Sequence, residues 1–268
     1  MTAAAAPLSR GNTRVKQARA LARRSARADR RLFLAEGPKA VAEALTVPAC
    51  VVEVFATAEA APTYAGLAAA SPRWTVVADD ALASLSGTVH PQGVVAVCRF
   101  LDRPLAEVLA PTVAPGLVAV CADVRDPGNA GTVIRCADAA GADAVVLAGH
   151  SVDPYNPKTV RATVGSLFHL PLAVTPDPAA AVHAAHGAGL TVLAADGSGE
   201  VDLDDALDTG LLARPTAWLF GNEAWGLPTD LAALADHRVR IPLHGRAESL
   251  NLATAAAVCL YASARARR

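Results

Sequence analysis

A long apolar run is the first feature that this sequence lacks. No apolar stretch among its 268 residues approaches the roughly 20 residues that span a bilayer. The positive charge near the N-terminus follows residues 1–8 instead of preceding them, which is not the order found in a signal peptide. The sequence therefore predicts a cytoplasmic protein with no membrane partner.

Cysteine is scarce and carries no disulfide or metal signature. The five cysteines are odd in number, widely spaced and set among apolar residues, which indicates reduced core side chains. His183 and His186 lie three residues apart on a predicted helix, but no cysteine or carboxylate pattern accompanies them. Because a metal site needs more ligands than two, we interpret them as a surface pair and expect no metal.

A glycine-rich turn after the first strand is also missing. The one candidate, residues 195–200, comes late in the chain and lacks a third glycine at the required spacing. It is followed by the acidic stretch 201–205, which would repel a pyrophosphate. These features argue against a Rossmann-type methyltransferase or dehydrogenase.

What the chain does contain is enough apolar material for a large core, because 53% of its residues are hydrophobic and the mean hydropathy is +0.31. Apolar strand patterns alternate with helical patterns throughout, which predicts an α/β protein. From residue 117 onward, strands that are apolar along their whole length predict a parallel sheet covered on both faces.

Three prolines between residues 100 and 116 mark a boundary between two domains. We therefore predict a first domain over 1–100, a linker over 101–116 and a second domain over 117–268.

Basic residues are concentrated near the N-terminus, although the net charge is only -1. Nine of the 24 basic residues lie between residues 10 and 31, against a single acid. Helical spacing puts an apolar stripe on one face and basic side chains on another, which predicts one basic amphipathic helix. Its expected partner is RNA or another polyanion, and the alternative is a solvated surface helix. The apolar stripe comprises Val15, Ala18, Leu21 and Ala22, and the predicted RNA contacts are Lys16, Arg19, Arg23 and Arg27.

The rest of the chain is organised around one stretch near the C-terminus, residues 241–258. A strand stops at Pro242, and a polar loop follows that ends at Ser249. We predict that Ser249 caps a helix beginning at about Leu250, since a serine hydroxyl can accept from the unpaired N–H groups of a helix start. The helix is rich in alanine, so other backbone can approach it closely.

Two earlier stretches share this character, residues 126–135 and 219–228. Each follows an apolar strand, predicted at 117–122 and 216–220 respectively. Loops at the carboxyl ends of parallel strands are where ligands of open α/β sheets bind. The three stretches are therefore predicted to form one site.

In order and spacing, these three stretches resemble the three motifs of the SpoU/TrmH family of SPOUT RNA methyltransferases, and the resemblance covers residues 117–262. It implies a parallel sheet whose C-terminal segment is threaded into a trefoil knot. It also implies a homodimer that binds S-adenosylmethionine in the knot and methylates a ribose 2′-hydroxyl in RNA. The positions matching the family's polar site residues are Asn129, Arg135, Glu223, Ser249 and Asn251. The positions matching its cofactor contacts are Gly221, Ile241, Leu243, Leu250 and Asn251.

The first domain resembles the small ribosomal-protein-like substrate-binding domain that precedes the knot in many members of this family. The similarity lies in residues 36–38 and 91–94. It implies that this domain holds a folded RNA. An appended domain of this kind favours ribosomal over transfer RNA as substrate. Transfer RNA methylation and a non-catalytic RNA-binding member of the fold are the alternatives.

Two of these residues invite a physical interpretation. The resemblance implies that Arg135 assists deprotonation of the hydroxyl, but an arginine stays protonated in nearly all sites. A clamp that binds the substrate phosphate and stabilises the developing oxyanion fits its chemistry better, with Glu223 fixing the guanidinium. Gly221 lacks a Cβ, which would allow the cofactor to approach the backbone closely.

Overall fold

The computed structural model describes residues 6–110 and 114–268, and the chain forms two compact units. The first unit runs to Leu101 and also contains the segment Tyr155–Phe168. The second unit comprises Asp102–Pro154 and His169–Arg268. Residues 111–113 of the predicted linker lie outside the described residues.

The secondary structure alternates along the chain as the sequence pattern predicts. The strands are β1 Leu32–Glu36, β2 Val51–Thr57, β3 Trp74–Val77, β4 Val94–Arg99, β5 Leu117–Ala122, β6 Ala144–Ala148, β7 Leu172–Thr175, β8 Thr191–Ala195, β9 Val201–Asp202, β10 Thr216–Phe220 and β11 His237–Arg240. The α-helices are α1 Thr13–Ala20, α2 Arg24–Arg30, α3 Pro38–Thr46, α4 Ala60–Thr63, α5 Ala65–Ala70, α6 Asp79–Ala83, α7 Leu105–Val108, α8 Pro127–Ala139, α9 Pro157–Thr163, α10 Pro178–Gly187, α11 Leu203–Asp208, α12 Thr229–Ala232 and α13 Leu252–Ala266. Within the described ranges, no helix has the length and apolar character needed to cross a membrane.

The first unit is built on a four-stranded sheet in the order β1-β4-β2-β3. β4 is antiparallel to β1 and β2, and β3 is parallel to β2. The segment Tyr155–Phe168 belongs here although the sequence-based boundary assigned it to the second domain. Its Tyr155 ring lies 4.8 Å from the Phe33 ring and stacks on Phe100 at 3.8 Å. The Tyr155 hydroxyl accepts from the Leu101 N–H at 2.7 Å, so aromatic packing fixes this segment.

The basic N-terminal segment forms two helices, α1 and α2, where one was predicted. In the break between them, the Arg27 guanidinium donates to the carbonyl oxygens of Leu21 and Ala22 at 2.9 Å. Arg27 is only 2% exposed, so its predicted role as an RNA contact is wrong. Val15, Ala18 and Leu21 are buried as the apolar stripe predicts, whereas Ala22 is exposed.

The second unit contains a seven-stranded sheet in the order β7-β6-β5-β10-β8-β11-β9. Every neighbouring pair in it is parallel. All residues of β5, β6 and β10 are buried, as expected for central strands covered on both faces. The predicted parallel sheet is confirmed.

The strand order places the three motif stretches close together at the carboxyl ends of the strands of this sheet. β10 lies between β5 and β8, and β11 pairs with β8 on its other side. Because all these strands run the same way, the loops that follow them emerge together. Such a change in strand order opens a crevice outside the carboxyl ends of the strands.

The acidic stretch 201–205 forms β9 and the first turn of α11. Asp202 caps that helix by accepting from Asp204 N–H at 3.0 Å, and acids are favourable at a helix N-terminus. The last helix begins at Leu252, and its cap is Asn251 where Ser249 was predicted, because Asn251 Oδ1 accepts from Ala253 N–H at 2.9 Å.

Candidate active site

The first motif stretch forms a tight junction between β5 and α8. The Asp126 side chain caps the helix by accepting from the Asn129 N–H at 2.8 Å, and Pro127 occupies the first helical position. α8 thus begins at Pro127. Asn129 therefore lies in the first helical turn.

Glu223, from the loop after β10, holds this junction in place. Its carboxylate accepts from the Arg125 N–H at 3.2 Å and the Asp126 N–H at 3.0 Å. It also accepts from Asn129 Nδ2 at 3.2 Å. The expected contact of Glu223 with the Arg135 guanidinium is absent from the described residues. Charge-assisted bonds from two backbone donors make Glu223 an anchor of the first motif loop.

Asn251 joins the third motif to the other two. Its Nδ2 donates to Asn129 Oδ1 at 3.1 Å, while its Oδ1 caps α13. Glu223, Asn129 and Asn251 thus form one hydrogen-bonded chain, which we call the three-loop network. Each amide NH2 group has two hydrogens, and each uses one within this network. Both asparagines are solvent-accessible, so each can donate its second hydrogen to a bound substrate.

Asn222 is a structural residue that the sequence reasoning missed. Its side chain is buried and donates from Nδ2 to the Asp123 carbonyl oxygen at 2.7 Å. Asp123 has a positive φ of 56°, which an aspartate tolerates better than most residues. Asn222 thereby ties the second motif loop to the unusual turn that opens the first. The available signal is a polar amide placed two residues after the buried strand β10.

Gly221 is needed for the closure of its own loop. A Cβ added there would lie 2.4 Å from the Gly226 carbonyl carbon and 2.6 Å from the Leu227 nitrogen. The loop closes on itself here, because Asn222 and Gly226 exchange two backbone hydrogen bonds of 2.9 Å. The missing Cβ therefore serves the closure of the loop itself.

A cavity of about 560 Å³ lies beside the network at the ends of β8, β10 and β11. Four of the predicted cofactor contacts line it, namely Gly221, Ile241, Leu243 and Leu250, together with Glu223 and Ser249. Asn251 is not part of its wall. Three carboxylates that the sequence reasoning did not select, Asp196, Asp202 and Glu248, also border the cavity. For Asp196 the signal was present, since it directly follows β8.

Arg135 stands apart from the cavity and the three-loop network. It lies on α8 six residues after Asn129, about 9 Å further along the helix axis. Its side chain is exposed and forms no hydrogen bond or ion pair within residues 6–110 and 114–268. Burial raises the pKa of the neighbouring Cys136 thiol, and the positive charge of Arg135 partly offsets this rise. The guanidinium is therefore available to an external anion.

The Cys121 thiol, which lies within the electrostatic influence of Glu223, offers no reactive group. Burial raises the pKa of the Cys121 thiol to about 12, and the negative charge of Glu223 acts in the same direction. A thiol with this pKa stays protonated at neutral pH, so it is not a nucleophile. Elsewhere on the surface, His186 pairs with Asp236 at 3.1 Å.

Comparison with known proteins agrees with this geometry. The SpoU rRNA Methylase family matches residues 116–261, and an MRM3-like substrate binding domain matches residues 12–96. The chain is 33% identical over 259 residues to the 23S rRNA (guanosine(2553)-2′-O)-methyltransferase RlmP of Bacillus subtilis (strain 168), across 93% of this chain and 95% of the relative. It is 42% identical over 146 residues to a 23S rRNA (uridine(2479)-2′-O)-methyltransferase of Streptomyces viridochromogenes, across 53% of this chain and 50% of the relative.

Two solved structures have the same architecture along most of the chain. The AdoMet-bound rRNA methyltransferase from Sinorhizobium meliloti has a TM-score of 0.80 at 34% identity and covers 95% of both chains. The SpoU methyltransferase AviRb from Streptomyces viridochromogenes, in complex with AdoMet, has a TM-score of 0.81 at 32% identity and covers 96% of this chain and 98% of that one. The fold is that of a SPOUT methyltransferase. The chain belongs to the SpoU rRNA methylase family, as the three motifs indicate.

Proposed function

We propose that this protein transfers a methyl group from S-adenosylmethionine to a ribose 2′-hydroxyl of RNA, and that the RNA is ribosomal. The observation that carries the proposal is the three-loop network, which places three polar side chains beside a cavity at the carboxyl ends of parallel strands. The two relatives described above are named as 23S rRNA 2′-O-methyltransferases, which supports this substrate class.

The cavity suits S-adenosylmethionine in both size and chemistry. Its volume lies in the usual range for a small-molecule site. Phe220, Ile241 and Leu252 give part of the wall an apolar character that fits an adenine ring. Asp196, Asp202 and Glu248 outnumber Arg240, which pairs with Asp202 at 3.4 Å, so another part of the wall carries net negative charge that suits ribose hydroxyls and a cationic donor. When bound, this cofactor supplies a methyl group on a positively charged sulfur.

Each polar residue of the site has its own proposed role in binding or orienting the RNA. Glu223 fixes the first motif loop, and Asn129 and Asn251 offer N–H donors that orient the ribose or its phosphate. Arg135 binds the adjacent phosphate through its planar guanidinium and stabilises negative charge on the 2′-oxygen as the hydroxyl proton passes to solvent water and the oxygen bonds the methyl group. Because Arg135 stays protonated, it acts as a clamp and not as a base.

A methyl-transfer assay tests the proposal directly. Purified protein, labelled donor and ribosomal RNA should give labelled RNA, and mapping should place the label on a ribose 2′-oxygen. Asn129→Ala should lose most of this transfer, since it interrupts the network between Glu223 and Asn251. Label found in transfer RNA alone would overturn the ribosomal substrate, and no label in any RNA would favour a non-catalytic binding protein.

The first unit is proposed to bind the RNA through its basic N-terminal surface, defined as Lys16, Arg19 and Arg23. Lys16 and Arg23 are exposed and Arg19 is half-buried, so all three can reach solvent. Support comes from the match of this region to a substrate-binding domain.

Replacing these three residues by alanine should weaken RNA binding without changing donor binding. The slope of log affinity against log salt should flatten by about 0.7 to 0.9 for each phosphate that the variant no longer neutralises. Arg214→Ala, which removes an exposed charge in the second unit, is the matched control and should leave the slope unchanged. An unchanged slope in the triple variant would assign the basic surface to solvation.

We also propose that the protein is a homodimer formed through α13. This helix leaves Val258 and Tyr261 exposed at 38% and 52%, an unusual display for large apolar side chains on one helix. Sedimentation should show a dimer, and Val258→Glu should shift it toward the monomer by placing a charge in the interface. A parent protein that stays monomeric at all concentrations would contradict this assembly.

A further inference from the structure

One tryptophan is displayed to solvent beside the three-loop network. The chain has three tryptophans, of which Trp218 is fully buried and Trp74 is half-buried. Trp225 is 55% exposed, although it follows Glu223 by only two residues. An exposed indole is unfavourable for the stability of the folded chain, because it leaves apolar area in water. An exposed indole in this position indicates a surface that binds another molecule.

The turn that carries Trp225 is held firmly. Asn222 and Gly226 close it with two backbone hydrogen bonds of 2.9 Å, and Gly226 adopts the positive φ of 68° that the turn requires. The buried Asn222 side chain fixes the base of the turn to the Asp123 carbonyl. The indole is therefore presented by a constrained backbone.

Arg125 completes the surface. Its guanidinium lies over the Trp225 ring, 5.0 Å from the ring centroid, and both side chains are exposed. The Arg125 backbone N–H donates to Glu223 Oε2, so the first and second motif loops each contribute one half of the pair. Trp225 also borders a second cavity of about 530 Å³, shared with Asp196 and Arg238. A flat π-surface and a positive charge thus stand together next to Glu223.

We propose that Arg125 and Trp225 form a platform on which an unpaired base of the RNA stacks, next to the nucleotide that is methylated. Single-stranded RNA is bound in this way, by bases stacked on aromatic rings and arginine planes beside positive charge. A protein partner would be matched less well, because the pair combines a stacking face with a cation that attracts phosphate. This inference rests on the proposed function for the identity of the ligand.

The platform positions the RNA without selecting a sequence, because every base has a π-face. Trp225→Ala should therefore raise the RNA concentration needed for half-maximal transfer by roughly 5-fold to 150-fold, the loss expected for one stacked base. The rate at saturating RNA and the donor affinity should change little. Trp225→Phe should retain part of the effect, whereas Trp225→Leu, which keeps apolar bulk without a π-system, should behave like alanine.

Tryptophan fluorescence of the full chain reads the contact without requiring catalysis. A short single-stranded oligoribonucleotide should quench the emission, and an abasic strand of equal length, with the same phosphates, should not. Trp225→Phe should lose the quenching, and Trp74→Phe should keep it. Equal quenching by the abasic strand, or quenching that survives in Trp225→Phe, would overturn the platform.

The two measurements separate this inference from the proposed function. Base-dependent quenching in a protein that methylates no RNA would support the platform and overturn the proposed function. Methylation that is unaffected in Trp225→Ala would leave the function standing and overturn the platform. A third outcome would also overturn the platform. If Trp225→Ala converts a dimer into a monomer, and no oligoribonucleotide quenches the parent, then a second copy of the chain covers this surface.

Discussion

Replacing Arg135 by alanine should slow methyl transfer by about a hundredfold to a thousandfold at saturating RNA and donor. The side chain has no partner to lose within the described residues, so its removal should cost the fold little. It also lies outside the wall of the cavity, so donor binding should be unchanged. On the proposed function, what disappears is the cation that binds the RNA phosphate and stabilises the negative charge that the 2′-oxygen gains only as the reaction proceeds.

Arg135→Lys should restore little of this rate. A lysine keeps the positive charge but cannot reproduce the planar guanidinium that binds a phosphate through two parallel hydrogen bonds. Arg214→Ala is the control for the loss of one exposed arginine in the same unit. The decisive measurement is single-turnover transfer, since it separates chemistry from RNA affinity. An alanine variant that keeps most of its rate and loses only affinity would make Arg135 a binding residue.

Replacing Gly221 by alanine should disrupt the candidate site by displacing its backbone. In Gly221→Ala the added Cβ would lie 2.4 Å from the backbone of Gly226, closer than any real contact, and backbone cannot move aside as a flexible side chain can. The turn that carries Glu223 must therefore shift. We expect a loss of stability of about 1 to 3 kcal/mol, typical of overpacking. Donor binding should be lost with it, because Gly221 and Glu223 both line the cavity.

Thermal unfolding and titration calorimetry with S-adenosylmethionine measure the two effects. Gly187→Ala is the matched control, since an added Cβ there meets nothing within 4 Å. Calorimetry of the parent in a metal chelator also tests whether the donor binds without metal, and absence of binding there would contradict that expectation. If Gly221→Ala kept both the melting temperature and the donor affinity of the parent, the loop would be more pliable than its hydrogen bonds indicate.

Much of the fold and the approximate location of the site could be predicted from the sequence. Uninterrupted apolar runs, such as residues 117–122 and 216–220, predict buried parallel strands, because only a strand covered on both faces needs apolar side chains on both sides. The direction of those strands then places the loops after them at one edge of the sheet. Residues selected from different motifs, such as Asn129 and Asn251, were expected together on this ground.

Only the tertiary structure decided which groups touch. Glu223 binds backbone N–H groups and Asn129, because the carboxylate satisfies whatever donors the packed loops bring to it, and sequence spacing carries no information on that choice. The helical period likewise placed Arg27 on a polar face, but its guanidinium is buried against two carbonyl groups that the break after α1 leaves unpaired. Gly221 shows the same limit, since the backbone it must avoid lies across a turn whose closure no local pattern reports. Local propensity determined the elements of this protein, and contacts between residues distant in sequence determined its site.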